Sequence, residues 1–224
     1  MPDQKAQITW RDGRVPVSTR FDDPYFSLED GAAETAHVFL AGNDLPQRFR
    51  PGFHIAELGF GTGLNLLLAW DAWMRAGGEG PLKFTSFEAF PMSTDDMAQA
   101  HAAFPPLDGR RDALTAAWNG SGGILELPGL HAEIITGDAR ETLPAWEGRA
   151  DAWFLDGFSP AKNPELWGDD LMAEVARHTA PGGTAATYNA AGFVRRALAA
   201  GGFEVTRVPG YGRKRHMTRA QMPV

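Results

Sequence analysis

The chain has 224 residues, 43% hydrophobic and 22% charged, enough to bury one sizeable core and within the size range of a single domain. It contains no cysteine, which excludes disulfides and thiolate chemistry and fits a cytosolic setting. A net charge of −7 argues against a nucleic-acid partner by its sum but not by its distribution: residues 193–224 carry seven Lys/Arg against one acid, so that end is +6 and the rest −13.

The first residues, MPDQKAQITW, lack the apolar centre of a signal peptide, and no apolar run approaches the roughly 20 residues that span a bilayer. A soluble intracellular protein is expected. ITWRDGRVPV reads as two short strands around an Asp12-Gly13 turn, and LEDGAAETAHVFLAG has helical spacing with Ala33, Val38 and Leu40 on its inner face. Residues 1–50 are therefore expected to form a cap on a main domain over 51–224. From Phe53 strands and helices alternate. Strands are predicted at 53–58, 82–88, 130–137, 150–156, 183–189 and 203–210, with helices at 64–76, 94–104 and 191–202. This rhythm predicts an α/β fold with an open, mostly parallel sheet flanked by helices. The Pro/Gly-rich span 105–129 is left unassigned as an insertion or irregular loop.

The chemistry-bearing motifs lie where strands end. In AELGFGTGLN, Gly59, Gly61 and Gly63 sit between a strand and a helix, where missing Cβ atoms allow a tight turn and close approach of a ligand to the backbone. No Gly-Lys-Ser/Thr follows, so a dinucleotide or S-adenosyl-L-methionine is preferred to a nucleoside triphosphate. Glu88 ends the next strand, where a carboxylate takes ribose hydroxyls, unless it is a surface acid. Asp138 is either the N-cap of a helix or a contact on the adenine side. Asp156 ends the apolar run of DAWFLDGFSPAKNPELW. With Glu57, four acids cluster at the carboxyl ends of predicted strands, where open α/β sheets bind ligands. Such an acidic crevice suits a sulfonium better than a pyrophosphate, which tilts the choice to S-adenosyl-L-methionine. The six histidines show no metal-ligand spacing, and no metal is expected.

ELGFGTGLN, SFEAFP, DAWFLDGFSPAKNPELW, APGGTAATYNAAGFVRRALAAGGF and GYGRKRHM together resemble the methyltransferase domain of the MnmC family, whose stand-alone members are called MnmD. The stretch VSTRFDDPYFSLEDGAAETAHVFLAGNDLPQRF is similar to the same family, so the resemblance covers nearly all of the chain except about 105–130. It implies a class I (Rossmann-like) S-adenosyl-L-methionine-dependent methyltransferase. The implied substrate is the exocyclic amine of 5-aminomethyl(-2-thio)uridine at the tRNA wobble position. Carried over by position, it implies that Glu57, Gly59, Phe60, Gly61 and Gly63 hold the methionine end, Glu88 the ribose, and Asp138 with Ala139 the adenine side. Asp156 would lie against both cofactor and amine as the catalytic residue. Phe158, Lys162 and Asn163 would stand at the pocket mouth, Lys162 and Asn163 otherwise merely stabilising their loop, while Arg213, Lys214 and Arg215 would hold the tRNA anticodon region. The FAD-dependent oxidase domain of fused members is not expected in this chain. Ser159, Asn189 and His216 depart from the family pattern. A methyltransferase of a small amine or a protein, and a non-catalytic α/β module, remain as alternatives.

Overall fold

Apolar runs too short for helices and rich in β-branched and aromatic residues become the strands of one eight-stranded sheet. The structure is a computed structural model and describes residues 5–27, 30–105 and 107–224. Its N-terminal part comprises β1 (Ile8–Arg11), β2 (Val15–Ser18), β3 (Asp23–Pro24) and a short helix α1 (Gly31–Thr35). The main part runs β4 (His54–Leu58), α2 (Leu64–Arg75), β5 (Leu82–Glu88), α3 (Thr94–His101), α4 (Arg110–Ala117), β6 (Gly123–Leu127) and β7 (Leu130–Thr136). It continues through α5 (Ala139–Ala145), β8 (Ala150–Leu155), α6 (Asp169–Arg177), β9 (Thr179–Thr187), α7 (Gly192–Ala200), β10 (Glu204–Pro209) and β11 (His216–Gln221).

The sheet order is β10-β11-β9-β8-β4-β5-β7-β6. Strands β9, β8, β4, β5 and β7 are parallel, while β11 and β6 run against their neighbours. From β4 the chain proceeds outward to β5 and β7, then returns to place β8 on the other side of β4. The strand order therefore reverses between β4 and β8, the switch point at which a crevice opens in such sheets.

Both faces are covered. Ile55, Phe84, Ala132 and Phe154 pack against α2, α3, α4 and the segment after α1. Ala56, Phe87, Trp153 and Leu155 pack against α5, α6 and α7. Double burial explains why 152–155 is apolar without alternation: Trp153 and Phe154 are both fully buried, on opposite faces.

Three sequence expectations are corrected. The helix predicted across 28–42 becomes α1, one wide π-type turn at Ala36–Leu40 and a 3-10 turn at Ala41–Asn43, with Leu28 and Glu29 outside the described residues. Val38 is fully buried, but Ala33 and Leu40 are only half-buried. The span 105–129 contains α4 and the edge strand β6. The basic C-terminal stretch holds a strand that the sequence did not predict: β11 inserts between β9 and β10, and Arg219 pairs with Asp44. No helix among the described residues is long and apolar enough to cross a membrane.

Candidate functional site

The β4–α2 turn favours glycine at three positions and requires it at the first. Gly59, Gly61 and Gly63 have φ of 88°, 54° and 72°, in the left-handed region. A Cβ on Gly59 would meet the Asp156 backbone oxygen at 2.0 Å. That contact reflects how closely the tips of β4 and β8 run, with the Asp156 N–H donating to the Leu58 carbonyl at 3.1 Å. The turn thus forms the floor of a cavity of about 1180 Å³ at the switch point. This exceeds the roughly 300–1,000 Å³ usual for one small ligand, leaving space for a nucleoside and a second substrate.

The four strand-end acids occupy distinct environments. Glu88 is buried, and its two oxygens accept from the Gly61 N–H at 2.9 Å and the Phe90 N–H at 2.8 Å. Burial raises its pKa despite these bonds. Glu88 lines the cavity. Glu57 does not reach the cavity: it is fully buried behind the turn, accepting from Asn65 Nδ2 at 2.8 Å and Ser86 Oγ at 2.6 Å. Burial pushes its pKa up to about 8 against those two bonds. Asp138 lines the cavity but uses one oxygen to cap α5, accepting from the Arg140 N–H at 2.9 Å. The Arg140 side chain holds its pKa below the ordinary value. Ala139 lines the same wall.

Asp156 faces the cavity and accepts from Asn65 Nδ2 at 2.7 Å. Close packing of protein around the carboxyl pushes its pKa up to about 7, opposed by the Asn65 bond and the charge of Lys214. Asn65 therefore joins two carboxylates, and its own oxygen accepts from Thr35 Oγ at 2.8 Å. All three bonds fix the orientation of its amide. Sequence reasoning missed Asn65 and Thr35 as site residues; a polar residue in the first turn of the apolar helix LNLLLAW was the available signal.

The N-terminal part closes one side. Phe158 stacks on Phe21 with centroids 4.8 Å apart, and Tyr25 meets it edge-on at 5.1 Å. Arg20 lies over the Phe90 ring at 4.7 Å. Lys162 bonds to Asp22 and sits 3.7 Å from Asp23, which also accepts from the Ser159 N–H at 2.9 Å. The loop-stabilising alternative for Lys162 thus has direct contacts behind it. Asn163 lines the cavity, its backbone N–H donating to the Ser159 carbonyl at 2.9 Å. Phe60, Arg213 and Lys214 also line the cavity, while Gly63 and Arg215 do not.

The site fits S-adenosyl-L-methionine on its own terms: an obligatory glycine floor, a paired-amide carboxylate at the end of β5, and acid walls that favour a cationic sulfur.

A family model described as S-adenosyl-L-methionine-dependent methyltransferase matches residues 115–223. The tRNA 5-methylaminomethyl-2-thiouridine biosynthesis bifunctional protein MnmC of Caulobacter vibrioides is 46% identical over 99% of this chain, and that of Chromobacterium violaceum 44% over 97%. The chain spans 39% and 34% of their respective lengths. Among solved structures, MNMC2 from Aquifex aeolicus superposes with a TM-score of 0.79 at 26% identity, covering all of this chain and 74% of that one. The chain is thus similar to S-adenosyl-L-methionine-dependent methyltransferases over residues 115–223, and along nearly its whole length to part of the MnmC proteins.

Proposed function

We propose that this chain methylates the exocyclic amine of 5-aminomethyl(-2-thio)uridine at the wobble position of tRNA, giving 5-methylaminomethyl(-2-thio)uridine. The observation that carries the reading is Asp156, a carboxylate at the switch point, facing an acidic cavity and held by Asn65. The similarity to MnmC proteins of tRNA 5-methylaminomethyl-2-thiouridine biosynthesis supports the choice of nucleoside. The division into an extension over 1–50 and a methyltransferase domain over 51–224 belongs to the same proposal. Phe21, Tyr25 and Thr35 of the extension line the cavity and are taken to close it over the acceptor.

When bound, S-adenosyl-L-methionine supplies an electrophilic methyl group on a sulfonium. The backbone of Gly59–Gly61 would approach its methionine end, Glu88 its ribose hydroxyls, and the Asp138–Ala139 wall its adenine. The acceptor must be a neutral amine, yet a primary alkylamine is largely protonated near neutral pH, as lysine is. Asp156 first holds the ammonium by a charge-assisted hydrogen bond, then takes its proton and leaves the nitrogen lone pair free. The bound cofactor would supply the methyl group to that nitrogen, leaving as the neutral thioether, and Asp156 would pass its proton to solvent through the cavity mouth. Because burial brings the Asp156 pKa up to about 7, it is a stronger base than an ordinary aspartate. Orienting amine and methyl in one cavity supplies much of the remaining acceleration.

Incubation with tRNA carrying 5-aminomethyluridine, followed by mass spectrometry of the nucleosides, tests this reading. The expected product is a wobble nucleoside heavier by one methylene. No gain with this tRNA, alongside methylation of a small amine or a protein lysine, would overturn it.

A further inference from the structure

Lys214 lines the cavity beside Arg213, and its ammonium engages two groups of the cavity wall. Its ammonium lies 2.6 Å from Glu34 Oε1 and 4.2 Å from the Tyr188 ring centroid, over the ring face. Both groups line the same cavity as Asp156, and Lys214 and Glu34 lie within electrostatic reach of the Asp156 carboxyl. Glu34 is nearly buried, its side chain 14% exposed. Tyr188 is fixed by its hydroxyl, which donates to the Gly157 carbonyl at 2.6 Å. A carboxylate beside an aromatic face is the combination that recognises an alkylammonium, and here an alkylammonium already occupies it.

The occupant is chemically informative. A lysine side chain ends in a primary amine on a methylene, the same class of group as an aminomethyl substituent. Lys214 sits in the turn between β10 and β11, its N–H bonded to the Tyr211 carbonyl, and its side chain is 46% exposed. Its stem can therefore swing outward without unfolding any strand. The lysine half of the pair is open to solvent, so a better positioned ammonium can displace it from Glu34.

We propose that Glu34 and Tyr188 form the ammonium subsite for the methyl acceptor, with Lys214 as a built-in placeholder that leaves when the substrate amine enters. This rests on the aminomethyluridine reading and adds a second carboxylate to it: Glu34 recognises the ammonium, whereas Asp156 takes the proton. It also separates Lys214 from Arg213 and Arg215, because a placeholder competes with the substrate where a phosphate contact would help it.

The test is the ratio of affinities for two tRNAs that differ only in having uridine or 5-aminomethyluridine at the wobble position, measured for wild type, E34Q and K214M. Retained S-adenosyl-L-methionine binding certifies that each variant folds. E34Q is expected to lower the preference for the amine-bearing tRNA about tenfold, the size of a lost charge-assisted hydrogen bond. K214M is expected to raise that preference about threefold, as befits removal of a weak competitor. An unchanged ratio in E34Q, or equal weakening of both tRNAs in K214M, overturns the proposal. If wild type prefers neither tRNA, the aminomethyluridine reading itself has failed, and titration of K214M with propylammonium then decides. Binding that disappears in the double variant E34Q/K214M supports an ammonium subsite; no binding, or binding that persists, overturns it.

Discussion

Glu57 is fully buried and Asp156 half-buried at the cavity wall; desolvation raises the pKa of both, yet they are suited to different work. Asp156 has cavity on one side and can exchange its proton; Glu57 is enclosed, with both oxygens bonded. For Asp156, kcat/KM is expected to fall as pH drops through about 7, where the base becomes protonated. Asp156→Asn should lower kcat by about 10²–10⁴-fold and abolish that acid limb, while calorimetric binding of S-adenosyl-L-methionine largely survives. Glu57 predicts a stability effect instead. Its folded pKa of about 8 lies above the ordinary 4.5, so between those values the folded state keeps a proton that the unfolded state has lost. Wild-type stability must therefore decline as pH rises through this window. Glu57→Gln copies the protonated acid: its oxygen accepts from Asn65 and its amide donates to Ser86. The variant should show a flatter Tm–pH curve, each kcal/mol relieved at pH 8–9 appearing as about 2–4 °C. Asp156 was legible in the sequence because an acid terminating an apolar run is conspicuous. The difference between it and Glu57 was not, since it depends on which side chains from other elements fill the space behind the turn.

Strand ends and helix starts are where local sequence and site coincide. The β5 limits, Leu82–Glu88, match the predicted 82–88, because the residues that end the apolar pattern are those that emerge into the crevice. The glycine turn was equally legible: its conformation is set by local backbone geometry. Gly59→Ala is expected to cost about 1–3 kcal/mol from backbone conformation alone, before the clash with the Asp156 carbonyl, and to eliminate cofactor binding. Thermal melts and calorimetry would check both parts. What local pattern could not show is the join between the N-terminal segment and α2. Thr35 and Asn65 are thirty residues apart in the chain, and their 2.8 Å bond carries the orientation of the Asn65 amide to both acids. Asn65→Leu removes a donor that favours the charged form of Asp156. Its kcat/KM at pH 7 should drop about tenfold, with partial recovery at higher pH as the acid limb moves upward. A loss that is uniform across pH would mean that Asn65 only supports the fold. Likewise, β11 and α4 escaped notice because charge and Pro/Gly content masked elements stabilised by their neighbours: β11 is held by strands on both sides, and Leu114 of α4 is fully buried.

At the scale of the molecule, the proposed function requires charge to reconcile an acidic protein with a polyanionic substrate. The −7 total repels tRNA at long range, while an acidic cavity rejects phosphate at short range. The basic C-terminal stretch resolves this only if its side chains stand at the rim, outside the acids. The turn before β11 puts Arg213 on the cavity wall and Arg215 beyond it. Slight desolvation and the charges of Arg207, Arg215 and Arg195 lower the pKa of His216, so these arginines lie within electrostatic reach of it. Phosphates would meet that surface while an unpaired anticodon base enters the cavity, dividing backbone contact from base recognition. Each phosphate contact displaces condensed counterions, so log K for tRNA should fall with log salt by about 0.7 per contact on single-stranded segments. The double variant Arg213→Ala/Arg215→Ala should therefore bind tRNA more weakly and reduce that slope by about 1–1.5, with S-adenosyl-L-methionine affinity unchanged. Filter binding across a salt series distinguishes this from a general charge effect. Neutralising two arginines remote from the rim would alter affinity slightly through net charge, but it would not remove discrete contacts from the slope.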